Sequence, residues 1–309
     1  MNKVNVGVVG VGYLGSLHAR VYSQIKNANL VCVCDIDKKC AKKIAKKYRV
    51  WYFPDYRTLF DKVDAVSIVV PTSLHYFMAR EFLKNGIHVL IEKPITKTIE
   101  EAEELIEIAD SKNRLIQVGH IERFNPVVRA VEPFLKEPRF IECRRAGPYK
   151  TKGRVKDVGV VLDLMIHDID IILSLVKSEV ENIEAVGIST ISPHEDIANV
   201  RLTFKNGAIA DITASRVTKE EVRKIKISQK DSHITMDYLH HEAFVFKKTD
   251  KKVTKEKIKI QKKEPLKEEL KSFVNSIQNR TKPLVSGLEG KRALTVALNI
   301  LDKIKSSKK

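Results

Sequence analysis

Short apolar runs alternate with amphipathic stretches through the first part of the chain. The apolar runs predict buried strands, and they cover Val4–Val9, Leu30–Asp35, Ala65–Val70, Val89–Glu92 and Leu115–Val118. Helices are predicted between them, for example over Ser73–Lys84 and Ile99–Ser111. Strands that alternate with helices predict an α/β fold with a doubly wound parallel sheet, whose ligands bind at the carboxyl ends of the strands.

The pattern changes after residue 120, where helices are fewer and apolar and polar residues alternate. A helix over Pro126–Leu135, a strand over Arg139–Arg145 and an apolar helix over Val160–Val176 are predicted first. Antiparallel strands are then predicted over Val180–Thr190, Ala198–Lys205, Ala208–Ser215, Val222–Gln229, His233–Tyr238 and Glu242–Lys247. A lysine-rich hairpin over Lys247–Lys263 and helices over Leu266–Gln278 and Gly290–Ile304 follow. This half is predicted to be an α+β domain with a mostly antiparallel open sheet.

Glycines and one carboxylate follow the first two strands at an informative spacing. The turn after the first strand is Gly10-x-Gly12-x-x-Gly15, and Asp35 ends the second strand. Gly10 permits the tight turn, Gly12 leaves room for a pyrophosphate, and Gly15 lets the helix pack closely on the sheet. A carboxylate at Asp35 suits the ribose hydroxyls of an adenosine. The pattern predicts a dinucleotide-binding Rossmann domain; a glycine-rich turn of another α/β protein is the alternative.

With 309 residues the chain is expected to form two domains. We assign residues 1–120 to the dinucleotide-binding Rossmann domain. Residues 121–309 are assigned to an α/β domain for substrate binding and oligomerisation, and helix 290–304 is a candidate to pack back on the first domain. Candidate cofactor-binding residues lie along one rim of the parallel sheet: Gly10, Gly12, Tyr13, Leu14, Gly15, Asp35, Pro71, Thr72, His75, Glu92 and Lys93.

Composition narrows the class of partner. The net charge is +17, but the lysines are spread over predicted helices and only 6% of residues are aromatic. Solvated lysine faces are therefore expected rather than a nucleic-acid site, and the positive field suits a small anionic substrate. No apolar stretch reaches the ~18 residues of a membrane helix, and no signal-peptide pattern is present. The four scattered cysteines have no zinc spacing, so we expect reduced thiols in the cytoplasm and no metal.

Two patterns carry acid–base chemistry. Glu92-Lys93-Pro94 ends a strand on the cofactor rim, where a lysine can donate a hydrogen bond or carry a proton; one surface lysine among many is the alternative. Asp163, His167 and Asp170 are spaced to share one face of an apolar helix. A histidine beside a carboxylate suits proton transfer near neutral pH, although satisfied buried polar groups or a metal site would give the same pattern. Asp168 is expected to face another direction.

Two further segments offer polar groups to a substrate. Glu122, Arg123 and Asn125 follow the last rim strand and could bind a sugar, or form an ordinary interdomain loop. The adjacent Arg144 and Arg145, with Tyr149 after them, could clamp a phosphate or end a solvated strand.

Three segments together resemble one enzyme family. GVVGVGYLGSLHAR, VVPTSLHYFMAREFLKNGIHVLIEKP and GVVLDLMIHDID are similar to the glucose–fructose oxidoreductase/inositol dehydrogenase (Gfo/Idh/MocA) family, over essentially the whole chain. GHIERFNP followed by RRAGPY resembles its nucleotide-sugar branch, which includes dehydrogenases that oxidise the 3-hydroxyl of UDP-N-acetylglucosamine or its uronate. The family's double glycine before the Asp-x-x-x-His helix is a single glycine in this chain, within Val158-Gly159-Val160.

The resemblance implies roles for the candidate residues. Lys93, Asp163 and His167 are expected to be catalytic, with NAD as cofactor. Substrate contacts are expected from Glu122, Arg123, Asn125, Arg144, Arg145, Tyr149 and His167. The expected protein is a homodimer or homotetramer that oxidises a UDP-sugar. A dehydrogenase of inositol or another free sugar, and a non-catalytic NAD-binding regulator, are the alternatives.

Overall fold

The computed structural model describes residues 3–149, 158–248 and 252–306, and these residues form two compact units. The first unit comprises Met1–Ile121 and Glu264–Leu294, and the second comprises Glu122–Lys263 and Thr295–Lys309. The first unit thus includes residues 264–294, which come late in the sequence.

The first unit is built on a six-stranded, fully parallel sheet with the strand order β3-β2-β1-β4-β5-β6. Its strands are β1 (Val4–Val9), β2 (Ala28–Cys34), β3 (Trp51–Phe53), β4 (Ala65–Ile68), β5 (His88–Glu92) and β6 (Ile116–Gly119). The connecting helices are α1 (Tyr13–Tyr22), α2 (Lys38–Tyr48), α3 (His75–Lys84) and α4 (Ile99–Ser111). The short edge strand β3, which contains the chain's single tryptophan, was not predicted.

Local chemistry explains where these helices begin. Asp37 caps α2 by accepting hydrogen bonds from two backbone N–H groups, and Thr98 forms a reciprocal capping box with Glu101 at the start of α4. The lysines of α2 are all exposed, whereas Ala41 and Ile44 face the core. The lysine-rich stretch is therefore a solvated helix face, as expected.

Helix α7 (Pro265–Asn279) completes the first unit from a distant part of the sequence. Its apolar face, which includes Leu270 and Phe273, joins the core cluster formed by β1, α1 and β2. Polar contacts reinforce this packing, since Arg20 of α1 pairs with Glu264. Helix α8 (Gly287–Ser306) begins in the first unit and ends in the second.

The second unit is built on an eight-stranded sheet with the order β14-β13-β12-β11-β7-β10-β9-β8. Every neighbouring pair is antiparallel except β7 and β10. The strands are β7 (Phe140–Ala146), β8 (Val180–Ile188), β9 (Ile197–Phe204), β10 (Ile209–Ser215), β11 (Val222–Ser228), β12 (Ser232–Asp237), β13 (Glu242–Lys248) and β14 (Val253–Lys257). Helices α5 (Pro126–Val131) and α6 (Ile166–Val176) complete this unit, and a π-helical turn (Val161–Met165) precedes α6.

The two faces of this sheet differ in chemistry. The inner face carries buried residues such as Ile141 and Cys143, and α5 and the π turn pack against strands of this sheet. The open face carries cross-strand ion pairs, including Arg201 with Asp211 and Lys226 with Glu142. The alternation of buried and exposed residues along β7 follows from the two-residue period of a strand.

None of the helices in the described ranges is long and apolar enough to cross a membrane.

Candidate active site

The glycine-rich turn between β1 and α1 has the geometry of a phosphate-binding turn. Gly10 has a φ of +82°, and a Cβ there would overlap the carbonyl oxygen of Val69. A Cβ on Gly15 would overlap the carbonyl oxygen of Gly10, so the helix packs closely on the turn. Gly12 is the N-cap of α1, and a Cβ added to it would meet no heavy atom within 4 Å. A pyrophosphate therefore has space beside the N-terminus of α1.

Asp35 follows β2 and lies beside this turn. One carboxylate oxygen accepts a hydrogen bond from the Val11 N–H at 2.8 Å, and the other accepts one from the Asp37 N–H at 2.9 Å. These bonds aim the carboxylate and leave further lone pairs for ribose hydroxyls. Tyr13 is 86% exposed at the start of α1, and Leu14 after it is half-buried. The turn and Asp35 together fit a dinucleotide.

Residues of the β4 and β5 ends differ in accessibility. Pro71 is exposed and Thr72 is half-buried. His75, a predicted cofactor contact, is fully buried: Nδ1 lies 2.8 Å from the Pro94 carbonyl oxygen and Nε2 lies 2.9 Å from that of Val70. Its ring connects two segments of the rim and is not exposed to a ligand. The prediction for His75 is therefore corrected to a structural role.

Glu92 is also directed inward. Its carboxylate lies 3.2 Å from Nε2 of the fully buried His18, and a Cβ on Gly119 would lie 2.9 Å from the same carboxylate. Glu92 therefore joins α1 to the ends of β5 and β6. Lys93, the next residue, is only 9% exposed, so little of its side chain meets water.

Asp163 and His167 lie at the start of the α6 segment in the second unit. Asp163 lies in the π turn and His167 in the first turn of α6, and both are half-buried. Asp170 is buried and lies 3.3 Å from Arg123. Its charge is used in this ion pair, and its predicted position on the face of Asp163 and His167 stays a prediction. π turns occur often at functional sites.

The residues before the π turn are held by a carboxylate that the sequence analysis did not identify. Glu195 accepts hydrogen bonds from the backbone N–H groups of Val160 and Val161, through its backbone and side-chain oxygens respectively. A Cβ on Gly159 would overlap the Glu195 carboxylate. Gly159 is therefore the residue that permits this close approach.

Asp196 and Arg216 brace the same segment. Arg216 donates to Asp196 at 2.8 Å and to the carbonyl oxygen of Val158 at 2.8 Å. Burial opposes ionisation of Asp196, but the Ile191 N–H and the Arg216 guanidinium lower the pKa of its carboxyl well below the ordinary value. The centroid of the Tyr149 ring lies 5.7 Å from the Arg216 guanidinium carbon.

The predicted arginine clamp is wrong in its geometry. Arg145 is 5% exposed and makes a bidentate pair with Asp168, at 2.7 and 2.8 Å, and a third bond to Glu122 at 3.0 Å. Arg144 is exposed on the open face of the sheet. Neighbouring residues of a strand point to opposite faces, so the two guanidinium groups cannot clamp one phosphate. Asp168 is buried, and both of its carboxylate oxygens accept from Arg145.

Glu122 and Asn125 are likewise used within the protein. Asn125 caps α5 by accepting from the Val127 N–H, and its amide donates to Glu122 at 2.9 Å. Burial raises the pKa of Glu122, but Arg145 and Asn125 outweigh it and lower that pKa. Neither side chain has the freedom that a sugar contact needs. The strand alternation and the Asn-Pro cap in the sequence are the signals that would have indicated this.

Known proteins resemble the chain over both units. Residues 4–120 match a model described as the Gfo/Idh/MocA oxidoreductase family with an NAD-binding Rossmann fold, and residues 134–232 match the Gfo/Idh/MocA C-terminal domain. The UDP-N-acetylglucosamine 3-dehydrogenase of Acidithiobacillus ferrooxidans is 34% identical over 97% of each chain. Its solved structure superposes with a TM-score of 0.94 over 99% of each chain.

Inositol dehydrogenases are more distant: the myo-inositol 2-dehydrogenase of Thermotoga maritima is 25% identical over 94% of this chain and 93% of that protein. The scyllo-inositol 2-dehydrogenase (NAD(+)) of Bacillus subtilis is 30% identical over 70% of this chain and 68% of that protein. The chain therefore belongs to the Gfo/Idh/MocA family of oxidoreductases. Its first unit is an NAD-binding Rossmann domain, and NAD is its cofactor.

Proposed function

We propose that this member of the family oxidises the 3-hydroxyl of UDP-N-acetylglucosamine to a 3-keto sugar. The observation that carries the proposal is the 34% identity to a UDP-N-acetylglucosamine 3-dehydrogenase, which extends over nearly the whole of both chains. Inositol dehydrogenases are less similar, since one is 30% identical over 70% of this chain and another is 25% identical over 94% of it. The excess of positive charge also suits a substrate with a diphosphate.

The glycine-rich turn and Asp35 are proposed to hold the cofactor. Gly12 leaves space for the pyrophosphate at the N-terminus of α1, and Asp35 is placed by two backbone N–H groups to accept from ribose hydroxyls. Nicotinamide, when bound, supplies the hydride acceptor. A carboxylate at this position disfavours a 2′-phosphate, so NAD is expected to bind better than NADP.

His167, Asp163 and Lys93 are proposed as the catalytic residues. Oxidation of a carbinol removes one proton from the hydroxyl and one hydride from the carbon. We assign the proton to the His167 imidazole, whose half-buried position leaves it accessible to a ligand. Asp163 would orient the imidazole, and Lys93 would donate a hydrogen bond to the oxygen as negative charge develops on it.

The cysteines and the exposed edge of the second sheet support a cellular location and an oligomeric state. The described cysteines, Cys32, Cys34, Cys40 and Cys143, are all free thiols, which suits the reducing cytoplasm. Strand β8 of the open sheet exposes Val186 and Ile188. We propose that such a surface is covered by further copies of the chain in a homodimer or homotetramer.

The decisive experiment is an assay of NADH formation with UDP-N-acetylglucosamine, with the keto product identified by mass spectrometry. A 2-oxo acid is added in a parallel reaction to reoxidise any tightly held cofactor. Formation of the 3-keto nucleotide sugar is the expected result. Turnover of inositol or glucose without any product from the nucleotide sugar would assign the protein to the free-sugar branch.

Substitution of the catalytic residues tests their roles. His167→Asn and Lys93→Met are each expected to lower kcat by about 10²–10⁴-fold, as for loss of an acid–base group, while NAD affinity changes little. His240→Asn, at an exposed turn after β12, is the control and should retain full turnover. Full turnover by His167→Asn would show that His167 is structural.

A further inference from the structure

One arginine on the inner side of the second unit differs from its neighbours. Arg123 pairs with Asp170, Arg145 with Asp168 and Glu122, and Arg216 with Asp196. Arg223 is half-buried on β11, yet its guanidinium makes no hydrogen bond or ion pair with any residue in the described ranges. The N–H donors of Arg223 are therefore not used by the described part of the protein and are available to a ligand.

The register of the sheet explains why no internal partner is available. Arg223 lies directly opposite Arg145 on the neighbouring strand β7. Both oxygens of Asp168 accept from Arg145, while the oxygens of Glu122 accept from Arg145 and Asn125. Burial raises the pKa of Glu122, and the charge of Arg223 is among the influences that lower it, so the guanidinium lies close to this network without bonding to it.

Arg223 also lies on the same face of the sheet as the proposed catalytic helix. Side chains two residues apart on a strand share a face, and Ile225 and Ile227, which share the face of Arg223, are buried. Arg145, opposite Arg223 on β7, is buried as well. Arg145 is bonded to Asp168 of α6, the residue that follows His167. Arg223 thus lies on the sheet face that carries the network anchoring α6, directly opposite Arg145. Its guanidinium has five N–H donors in a fork that matches a phosphate in geometry.

We propose that Arg223 binds a phosphate of the nucleotide sugar and is the arginine that selects an anionic substrate. This inference rests on the proposed nucleotide-sugar activity and adds a residue to it. Arg223 thereby takes the role that the sequence suggested for Arg144 and Arg145. A sugar carboxylate offers the same oxyanion chemistry, and the test separates the two sources.

The test compares Arg223→Met with Arg144→Met, a matched control on the open face of the same sheet. Each removes one positive charge, so a general loss of electrostatic attraction affects both alike. Arg223→Met is expected to weaken the Kd of UDP and raise the KM of UDP-N-acetylglucosamine by about 10–100-fold, the size of a charge-assisted hydrogen-bonded contact. The Kd of NAD should stay within about twofold in both variants. Arg223→Lys keeps the charge without the fork and should give an intermediate loss.

Each outcome bears on a separate claim. The role of Arg223 would be overturned if Arg223→Met binds UDP as tightly as the unmodified protein does. It would also be overturned if Arg144→Met loses as much UDP affinity as Arg223→Met. If Arg223→Met does not fold, the UDP affinity of Arg223→Lys is measured instead. Unchanged UDP affinity in Arg223→Lys would overturn the role of Arg223. Loss of affinity for glucuronate but not for UDP would assign the site to a sugar carboxylate. UDP binding that depends on Arg223 without oxidation of UDP-N-acetylglucosamine would overturn the proposed function alone. Failure of the unmodified protein to bind UDP would overturn both.

Discussion

Two buried tyrosine hydroxyls in this protein differ in their hydrogen bonding. The Tyr22 hydroxyl lies 2.8 Å from the buried Ser67 hydroxyl, whereas the Tyr238 hydroxyl is buried with no hydrogen-bond partner in the described part of the chain. Burial is the largest influence on both phenols and raises the pKa of each above its ordinary value, so both stay neutral. The contributions of the two hydroxyl groups to the free energy of unfolding should therefore differ only through hydrogen bonding.

We expect Tyr238→Phe to change the free energy of unfolding by no more than about 0.5 kcal/mol, or to increase it. Tyr22→Phe should lower it by about 1–2 kcal/mol, because the Ser67 hydroxyl is left buried without a partner. Urea unfolding followed by far-UV circular dichroism measures both. If Tyr238→Phe lowers the unfolding free energy as much as Tyr22→Phe does, a bound water or other group must hydrogen-bond to the Tyr238 hydroxyl.

His88 is expected to make the stability of the protein sensitive to acid. Burial first, and the charge of Arg114 second, lower its pKa to about 4 from an ordinary 6.5. Its Nδ1 accepts a hydrogen bond from the Leu115 N–H, which requires an unprotonated nitrogen. Between these two pH values the unfolded chain binds a proton that the folded chain does not, so stability falls as the pH drops from about 6.5 to about 4.

The variant His88→Asn keeps an acceptor near the same place but does not titrate. Between pH 7.5 and pH 5 the unmodified protein should lose about 1–2 kcal/mol more unfolding free energy than this variant, a figure reduced for partial exposure. His240→Asn, at an exposed position, should lose as much as the unmodified protein. An identical pH dependence in all three proteins would exclude His88 as the source.

At the scale of elements, the start of the π turn depends on one close contact. Glu195 holds the backbone before this turn, and Gly159 is the residue that permits its approach. Gly159→Ala should lower the unfolding free energy by about 1–3 kcal/mol, through overpacking against a carboxylate. Asp163 and His167 follow directly, so kcat should also fall.

A double-mutant cycle separates this contact from a general effect of alanine. Glu195→Ala removes the carboxylate that the new methyl group would meet, so Gly159→Ala should cost at least about 1 kcal/mol less in that background. Thermal and urea unfolding of the four proteins measure the coupling. Strict additivity would show that Glu195 moves aside at no cost and does not set the position of this segment.

Elements with a strong local signal were predictable, and side-chain direction was not. The strand, glycine turn, helix and acid of the Rossmann start carry their information within some thirty residues. Whether Arg145 contacts a substrate or Asp168 depends on which face of the strand it occupies and on a helix that begins only at Ile166. The same holds for Glu195, whose importance arises only from its contact with Gly159. Strand β3 was missed because three residues give too short a pattern.

The membership of α7 in the first unit could not be predicted from the sequence for a related reason. Its amphipathic pattern, with residues such as Leu270 and Phe273 on one side, shows that a face is buried. The pattern does not show which core receives that face. The structure supplies the answer, because these residues join the cluster around β1 and α1.

At the scale of the whole molecule, the net charge of +17 predicts a dependence on salt. Association with an anionic substrate is accelerated by a positive field, and added salt screens that field as the Debye length shrinks from about 30 Å at 0.01 M to about 8 Å at 0.15 M. We expect kcat/KM for the nucleotide sugar to fall several-fold over this range, with a smaller change in kcat. Sucrose at matched osmolarity is the control and should leave kcat/KM unchanged. A parallel fall in kcat would point to an effect on the folded state instead.

Trp51, at 72% exposure on the edge strand β3, makes the two units optically distinguishable. As the single tryptophan, it is the source of all the indole fluorescence of the protein, and that light originates in the dinucleotide-binding unit. Reduced nicotinamide absorbs in the band where indole emits, so quenching of Trp51 reports cofactor occupancy without any label. During denaturation the same emission follows one unit, whereas circular dichroism averages both. Coincidence of the two curves would show that the units unfold together.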